Sequence, residues 1–302
     1  DAEVIVKILL LGKKGQVGWE LQRSLASLGE VIALGRQQEG PLIGDLNQLD
    51  RLAQTVREVQ PQVIVNAAAY TAVDRAEQEP EMAQRVNGDA PGVLAREAAA
   101  LGAWLIHYST DYVFDGSGDR PWTEVDATAP LSVYGRTKLD GETRIRATGC
   151  LHVILRTSWV YAARGANFAK TMVRLAEERD QLRVVADQVG APTGADLIAD
   201  VTALVVRQLR PELAGTYHLA AAGQTSWHGY AQHVLREALA LGKTLRVSPD
   251  QVESIPSSAY PTPARRPLNS RLDVRKLEQT FGLHMPRWEW GVTRMLSEWL
   301  TN

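Results

Sequence analysis

A tyrosine and a lysine spaced four residues apart form a candidate proton-transfer pair. The segment Tyr134-Gly135-Arg136-Thr137-Lys138 has the spacing Y-x-x-x-K, and on a helix the two side chains share one face, one turn apart. An ammonium group beside a phenol favours the phenolate and lowers the pKa of the phenol. Such a tyrosine can pass a proton to or from a substrate oxygen near neutral pH. Because this spacing also arises by chance, the alternative is a helix-face tyrosine beside a solvated lysine.

Two further segments place polar or small side chains at the carboxyl ends of predicted strands. The segment His107 to Phe114 (HYSTDYVF) contains Thr110, whose hydroxyl could polarise a carbonyl group. Another strand ends at Asn66 and is followed by small residues that would let a cofactor lie close: Ala67, Ala68 and Ala69. Doubly wound sheets bind ligands outside the carboxyl ends of their strands. The order of these segments along the chain therefore favours one shared site.

A glycine-rich turn follows the first apolar segment of the chain. It has the spacing G-x-x-G-x-x-G and opens a helical pattern. Glycines allow a tight turn that approaches a pyrophosphate closely, and the helix N-terminus supplies free N–H groups and partial positive charge. This placement predicts dinucleotide binding, although glycine turns also exist only to change direction. The turn residues expected to contact the cofactor are Gly12, Gly15, Gln16, Val17 and Gly18.

The end of the second predicted strand indicates which dinucleotide is bound. Leu34-Gly35-Arg36 lacks the Asp or Glu that usually binds the ribose 2′-hydroxyl of NAD. Arg36, helped by Lys13 or Lys14, could pair with a 2′-phosphate. We therefore expect NADPH, with NADH as the alternative cofactor and solvation as the alternative role of Arg36. Two residues that follow a short apolar stretch are expected to line the adenine: Asp45 and Leu46.

Apolar strands alternate with helical patterns through the first half of the chain. Predicted strands cover residues 7–11, 31–34, 63–65, 104–108 and 153–155, and predicted helices cover about 17–28, 49–59, 80–100 and 134–147. This alternation implies an α/β fold with a doubly wound parallel sheet of the Rossmann type. After about residue 163 the alternation loosens. We therefore predict a cofactor-binding domain over residues 1–163 and a smaller substrate-binding lobe over 164–302, with segments near 190–220 returning to the main sheet.

Composition excludes several classes of partner. The 33 basic and 35 acidic side chains give a net charge of −2, so we expect no nucleic-acid partner and no binding to an anionic membrane surface. The single cysteine, Cys150, allows neither an internal disulfide nor a cysteine-based metal site, which favours a reducing, cytoplasmic setting. The apolar stretch from Val4 to Leu11 is too short for a signal peptide or a membrane span.

Several longer stretches resemble the extended short-chain dehydrogenase/reductase superfamily and, within it, the dTDP-4-dehydrorhamnose reductases. The resemblance spans nearly the whole chain, and its later stretches distinguish this family from more general relatives. These stretches are GKKGQVGWELQRSL, VNAAAYTAVDRAE, HYSTDYVFDG, PLSVYGRTK, RTSWVY, NFAKTM, GAPTGA and YPTPARRPLNSRL.

The resemblance implies the reduction of dTDP-4-dehydro-β-L-rhamnose to dTDP-β-L-rhamnose, the last step of dTDP-rhamnose biosynthesis. It implies a catalytic triad of Thr110, Tyr134 and Lys138. Tyr134 would protonate the C4 oxygen of the sugar as hydride arrives from the nicotinamide. Lys138 would lower the pKa of the tyrosine and hold the nicotinamide ribose, and Thr110 would donate a hydrogen bond to the carbonyl.

The resemblance also implies a set of contacts with the nucleotide-sugar substrate. Trp159 is similar to the aromatic residue that packs against the sugar, and its alternative role is that of a core tryptophan. Asn167 and the segment from Arg265 to Asn269 would hold the diphosphate, with surface solvation as the alternative for the arginine pair. The expected substrate contacts are Thr71, Val73, Thr110, Asp111, Tyr112, Trp159, Asn167, Arg265, Arg266 and Asn269.

The sequence departs from two of its relatives in informative ways. Sugar-nucleotide 4,6-dehydratases carry Asp-Glu after the threonine, whereas this chain carries Asp111-Tyr112, and loss of the glutamate disfavours elimination of water. Some family members form a magnesium-assisted dimer through carboxylates. Here the corresponding positions are interpreted as Glu20, Asp196 and Arg287, and an arginine cannot ligate magnesium. We therefore do not expect this chain to keep the magnesium-linked dimer and assign no metal site, while the use of magnesium and the choice between monomer and homodimer stay open.

Two other functions remain as alternatives. A related sugar-nucleotide 4-epimerase or 4-ketoreductase would share the triad, and an epimerase would hold its cofactor tightly. A non-catalytic regulatory subunit of methionine adenosyltransferase also resembles this family and binds a partner chain. That role would require neither Trp159 nor an intact triad.

Overall fold

Twelve short strands and eleven α-helices are found in residues 6–301, the part of the chain that the computed structural model describes. Residues 1–5, where the predicted apolar stretch begins, lie outside that part, as does residue 302. The strands are β1 Lys7–Leu11, β2 Glu30–Leu34, β3 Val63–Asn66, β4 Trp104–Thr110, β5 Leu151–Thr157, β6 Val160–Tyr161, β7 Arg183–Val185, β8 Val189–Gly190, β9 Thr193–Gly194, β10 Gly215–His218, β11 Thr225–Ser226 and β12 Glu253–Ile255. The helices are α1 Gln16–Ser24, α2 Leu49–Val59, α3 Val73–Ala76, α4 Pro80–Gln84, α5 Ala90–Leu101, α6 Val133–Ala147, α7 Phe168–Glu178, α8 Ala195–Arg207, α9 Trp227–Ala240, α10 Arg275–Phe281 and α11 Trp288–Leu300.

Six parallel strands form the main sheet in the order β10-β5-β4-β3-β1-β2. The residues of β1 alternate between two apolar clusters, with Ile8 and Leu10 on one face and Leu9 and Leu11 on the other. A strand buried on both faces has this continuous apolar sequence because helices cover both sides of a parallel sheet. The predicted doubly wound α/β fold is therefore confirmed.

The strand register brings the predicted site residues to one edge of the sheet. Leu11 at the end of β1 is level with Asn66 at the end of β3, and Asn66 is level with His107 in β4. Thr110, the last residue of β4, is level with Thr157, the last residue of β5. The glycine turn and the threonine segment therefore open toward the same edge.

The helical region predicted at about 80–100 contains a π-helical turn at Arg85–Asp89 between α4 and α5. Asn87 in this turn accepts a hydrogen bond from the Tyr70 amide and donates to the Tyr70 carbonyl and the Thr137 hydroxyl. Single π-helical turns often occur at functional sites. This turn ties the segment after β3 to α6, which carries the predicted catalytic pair.

A third apolar cluster is built from residues after β5. It extends from Tyr161 to Leu296 and includes α7, α9 and α11. The same half of the chain also supplies β10, which pairs with β5 at one end of the main sheet, and α8, which packs against α1. The domain boundary predicted at residue 163 stays a prediction.

The segment before α10 crosses back to the first half of the chain. The Trp122 amide donates to the Arg271 carbonyl, and the Asn269 amide donates to the Gly116 carbonyl. This crossing places residues 264–271 near the carboxyl edge of the main sheet. Among residues 6–301, no helix has the length and apolar character needed to cross a membrane.

Candidate functional site

The glycine turn is shaped by two close backbone approaches. Gly12 has φ +84°, and a Cβ there would lie 2.7 Å from the Ala68 nitrogen. At Gly18 a Cβ would lie 1.9 Å from the Gly12 carbonyl oxygen, so only glycine lets α1 start directly against the turn. The first turn of α1 has no acidic residue and its N-cap makes no side-chain hydrogen bond. The free N–H groups and the helix dipole make this end electropositive.

A cavity of about 870 Å³ opens beside this turn. It contains most of the predicted cofactor contacts: Gly12, Gly15, Gln16, Val17, Arg36, Asp45, Leu46, Ala67, Ala68, Ala69, Tyr134 and Lys138. Gly18 is the exception, because its role is to allow packing against Gly12. A Cβ added at Gly15 would have the Gly12 oxygen as its nearest neighbour, at 3.4 Å, so the turn leaves open space on its cavity side. The size, the open turn and the electropositive helix end fit a dinucleotide.

Cationic side chains surround the cavity. Arg36 and Lys14 both line it, whereas Lys13 is paired with Glu39 at 2.5 Å. Of the two lysines considered as helpers of Arg36, the structure therefore favours Lys14. A further cation, Arg164, also lines the cavity. Sequence reasoning missed Arg164 because no local motif marks the loop between β6 and α7 as part of the cofactor site.

The predicted triad meets at the end of β4. Thr110 accepts a hydrogen bond from the Tyr112 amide at 3.1 Å, and its hydroxyl lies 3.4 Å from Asp111 Oδ1. Ser132 caps the start of α6 by accepting a hydrogen bond from the Gly135 amide at 3.1 Å. This cap fixes the first turn of α6 and with it Tyr134. One turn later, Lys138 Nζ donates to the Tyr108 carbonyl at 2.6 Å.

Burial shifts the pKa values of Tyr134 and Lys138 in opposite directions. Desolvation raises the pKa of Tyr134 to about 12, while a hydrogen bond with Thr110 acts in the opposite sense. Desolvation lowers the pKa of Lys138 to about 8, and the charge of Glu142 opposes that shift. At neutral pH the phenol therefore keeps its proton, as a proton donor must. The expectation that Lys138 lowers the pKa of Tyr134 stays a prediction.

Asp111 and Tyr112 form the wall next to the triad. Asp111 is 1% exposed, and its Oδ2 atom has no hydrogen-bond partner among the described residues. Burial raises the pKa of Asp111 to about 7, against the effect of a hydrogen bond from Ser270. The Tyr112 ring meets the Tyr134 ring edge to face, with centroids 5.6 Å apart. A buried carboxyl group with an unused oxygen fits a hydrogen-bonding role toward a ligand.

A buried ion pair between Glu142 and Arg156 lies next to the triad. Glu142 lies one helical turn after Lys138 and accepts hydrogen bonds from Arg156 on β5 at 2.7 and 2.9 Å. It also accepts a hydrogen bond from Ser109, the neighbour of Thr110, at 2.6 Å. Glu142 thus connects α6 to β4 and β5 close to the triad residues.

Trp159 adopts an unusual backbone conformation after β5. Its φ of +48° lies in the left-handed region that bulky residues rarely occupy. Its ring stacks on Trp227 at 3.9 Å and stays partly exposed. A Cβ on Gly190 would come within 2.9 Å of the indole, so the ring is held from two sides. Local strain of this kind concentrates at functional sites.

Several of the remaining predicted substrate contacts lie near the cofactor cavity. Thr71 lines the cofactor cavity, and Val73 starts α3 close by. Arg266 pairs with Asp74 at 2.8 Å, which brings the arginine segment to the same region, and Arg265 is exposed.

Two of these residues have their polar atoms engaged within the protein. Asn167 caps α7 by accepting from the Lys170 amide and donates to the Ala162 carbonyl. Asn269 is 1% exposed and donates to the carbonyls of Ser117 and Arg120. Both residues therefore hold loops in place, and their direct contact with substrate stays a prediction.

A second cavity, of about 990 Å³, contains the positions compared with the magnesium-linked dimer. Glu20, Asp196 and Arg287 all line it. Glu20 is paired with Arg23 and Arg287 with Glu289. Within residues 6–301, no group of three His, Cys, Asp or Glu side chains is arranged to hold a metal ion.

The parallel sheet, the glycine turn and the Tyr134–Lys138 pair define an NAD(P)-dependent Rossmann-type oxidoreductase. A family model described as the RmlD substrate binding domain matches residues 6–301. The dTDP-4-dehydrorhamnose reductase of Salmonella typhimurium is 55% identical, over 98% of this chain and 99% of that protein. The chain belongs to the dTDP-4-dehydrorhamnose reductase family.

Two solved structures of dTDP-4-dehydrorhamnose reductases share the fold of this chain over nearly its whole length. The structure of a dTDP-4-dehydrorhamnose reductase from Clostridium acetobutylicum is 35% identical, with a TM-score of 0.88, and covers 97% of this chain and 99% of that one. The structure of the Bacillus anthracis protein of that name, in complex with NADP, is 31% identical, with a TM-score of 0.87, and covers 98% of this chain and 100% of that one.

Proposed function

We propose that this chain reduces the C4 keto group of dTDP-4-dehydro-β-L-rhamnose to give dTDP-β-L-rhamnose, the last step of dTDP-rhamnose biosynthesis. The observation that carries the proposal is that Tyr134 and Lys138 line the cavity beside the glycine turn, with Thr110 within hydrogen-bond reach of Tyr134. Family membership supports the substrate class, since the similar Salmonella protein has the name of this activity.

The chain's own residues account for the proton transfer. When bound, the reduced nicotinamide supplies a hydride to the C4 carbon. Tyr134 gives its phenolic proton to the C4 oxygen, because its pKa of about 12 keeps the proton in place until negative charge develops on that oxygen. Thr110 donates a hydrogen bond to the same oxygen, and the Lys138 ammonium stabilises the phenolate that remains.

The sugar and its nucleotide are placed by the surrounding residues. The partly exposed face of Trp159 packs against the sugar ring, and Asp111 and Tyr112 contact its hydroxyl groups. Arg265, which is exposed, and Arg266, which also pairs with Asp74, are the proposed contacts for the diphosphate. Because Tyr112 stands where a dehydratase carries a glutamate, the site lacks the second carboxyl group needed to eliminate water.

NADPH is the proposed cofactor, with NADH as the alternative. Arg36 and Lys14 line the cavity at the end of β2, and neither has a carboxylate partner within residues 6–301. Unpaired cations in this place suit a 2′-phosphate. A lower KM for NADH than for NADPH would contradict this assignment.

The decisive test is the oxidation of NADPH in the presence of enzymatically generated dTDP-4-dehydrorhamnose. Wild-type protein should oxidise NADPH rapidly, and Tyr134→Phe should lower kcat by about 10²- to 10⁴-fold because the proton donor is lost. Unchanged oxidation in the variant would remove Tyr134 from the mechanism. No oxidation by wild-type protein would contradict the proposed reaction.

The alternatives predict different observations in the same preparation. A sugar-nucleotide 4-epimerase would purify with stoichiometric NAD and would interconvert sugars without net oxidation. A regulatory subunit would bind a partner chain and turn over no dTDP-keto sugar.

A further inference from the structure

The loop between β6 and α7 brings a cation to the cofactor cavity from the second half of the chain. Arg164, Gly165 and Ala166 line that cavity together with Gly15, Gln16 and Val17. The Arg164 guanidinium lies 3.7 Å from the centroid of the Trp19 ring. Trp19 stands on α1, one turn after the free N–H groups at the start of the helix. The stacking contact therefore holds Arg164 beside the electropositive end of α1.

The charge of Arg164 is not paired within the described part of the chain. Within residues 6–301 no carboxylate pairs with it, whereas Arg23, which is also close to α1, pairs with Glu20 and Asp200. Trp19 is 48% exposed, an uncommon position for a large ring, and the guanidinium covers its face. An unpaired arginine held on an aromatic face is ready to bind an anion in a fixed orientation.

Two anionic groups of NADPH must be neutralised in this cavity. Arg36 and Lys14 lie toward the end of β2, where the 2′-phosphate is expected, and Arg164 lies toward the start of α1, where the pyrophosphate is expected. We propose that Arg164 binds the pyrophosphate of the cofactor and that Trp19 positions its guanidinium for that contact. This inference rests on the dinucleotide binding in the proposed function.

The two phosphate positions can be separated by choosing the ligand. NADPH and NADH share the pyrophosphate, whereas only NADPH carries the 2′-phosphate. Isothermal titration should therefore show that Arg164→Ala raises the Kd for NADPH and NADH alike, by about tenfold. Arg36→Ala should raise the Kd for NADPH and leave that for NADH unchanged. Adenosine 2′,5′-bisphosphate, which lacks a pyrophosphate, should lose less affinity than NADPH in Arg164→Ala.

Two further variants test the role of the stacking contact. Arg164→Lys keeps the charge but not the planar group, so it should weaken both dinucleotides by less than Arg164→Ala does. Trp19→Leu should also weaken both, because the arginine loses its support. Arg294→Ala is the matched control, since Arg294 lies over another exposed tryptophan, Trp290, outside this cavity. It should bind both dinucleotides with the wild-type Kd.

Two outcomes would overturn the inference. An unchanged Kd for both dinucleotides in Arg164→Ala would show that the pyrophosphate contact is not made, and a raised KM for the sugar nucleotide in the same variant would place Arg164 on the substrate instead. A loss of affinity for NADPH alone would place Arg164 on the 2′-phosphate. If wild-type protein bound neither dinucleotide, the proposed function would fail together with the inference, whereas normal binding to wild type separates the two.

Discussion

At the scale of single residues, the charge states of the triad follow from burial. Water that would solvate a phenolate or an ammonium ion is excluded at the end of β4, so the neutral form of each group is favoured. This raises the pKa of Tyr134 to about 12 and lowers the pKa of Lys138 to about 8. Between these two values Tyr134 still holds its proton while Lys138 loses its charge. The lysine therefore limits the activity at alkaline pH.

We predict that kcat falls as the pH rises through about 8. Below that pH the Lys138 ammonium stabilises the phenolate left by proton transfer, and above it this stabilisation is lost. The measurement is kcat from about pH 6 to about pH 10 at saturating NADPH and substrate. Lys138→Met should lower kcat across the range and remove this alkaline decline.

Lys276→Met is the matched control for that profile. Lys276 Nζ also donates to a backbone carbonyl, that of Thr216 at 2.7 Å, and it lies outside the cofactor cavity. Its variant should keep the wild-type pH dependence. An alkaline decline that persists unchanged in Lys138→Met would assign the titration to another group.

The sequence could predict the residues whose function depends on local spacing. The glycine turn and the Y-x-x-x-K pair are recognisable because each lies on one turn or one helix face. Arg164 and Asn87 could not be found in this way. Arg164 contacts Trp19, and Asn87 forms hydrogen bonds with Tyr70 and Thr137, and these partners lie in other segments of the chain. Contacts between distant segments leave no periodic signal in either segment.

At the scale of elements, the main strands were the most predictable features. Strands β1 and β3 are buried on both faces, and continuous apolar runs mark them directly, whereas β4 is marked only by its apolar start at Trp104, Leu105 and Ile106. Helix α1 ends at Ser24, earlier than the predicted 28, and residues 25–28 form hydrogen-bonded turns in which Leu25 is buried and Ala26 is exposed. The two-residue strands β6, β8, β9 and β11 were not predicted, since their pairing depends on tertiary contacts rather than on a hydrophobic pattern.

Helix α6 carries both the catalytic pair and Glu142, whose buried ion pair stabilises the fold. Burial opposes the charge of Glu142, but the hydrogen bonds and charge of Arg156, with Ser109 and Arg146, outweigh it and keep the pKa of this carboxyl below its ordinary value. We predict that Glu142→Leu costs about 3–5 kcal/mol of unfolding free energy, because Arg156 is left buried without its partner. Urea denaturation at neutral pH measures this loss. Combining it with Arg156→Met should recover most of the stability.

An exposed pair provides the comparison for this buried pair. Arg57 pairs with Glu97 at 2.7 Å but is 64% exposed, so Arg57→Met should lower the unfolding free energy far less than Glu142→Leu does. In wild-type protein the contribution of Glu142 is present above the ordinary glutamate pKa and is lost as the pH falls through its lower folded value. A double variant that is no more stable than Glu142→Leu would show that the loss has another cause.

At the scale of the whole molecule, the two halves of the chain share structural elements. The main sheet and the apolar cluster after β5 are joined by α8, whose Leu197 packs against both cores, and by β10 at the end of the sheet. The looser alternation after residue 163 predicted a second lobe. It could not predict how strongly the lobes depend on each other, because that depends on packing between distant segments.

This shared construction predicts that the lobes unfold together. NADPH at one hundred times its Kd should then stabilise the whole molecule by about 2.7 kcal/mol, which slows amide exchange through global unfolding about one hundredfold. Hydrogen–deuterium exchange should show this slowing in β4, beside the cavity, and equally in the most protected amides of α9. Residues of α9 do not line the cofactor cavity, so direct contact with NADPH cannot explain their protection. Slowing in β4 without slowing in α9 would mean that the two lobes unfold independently. The contacts of β10 and α8 would then be too weak to make the unfolding of the two lobes cooperative.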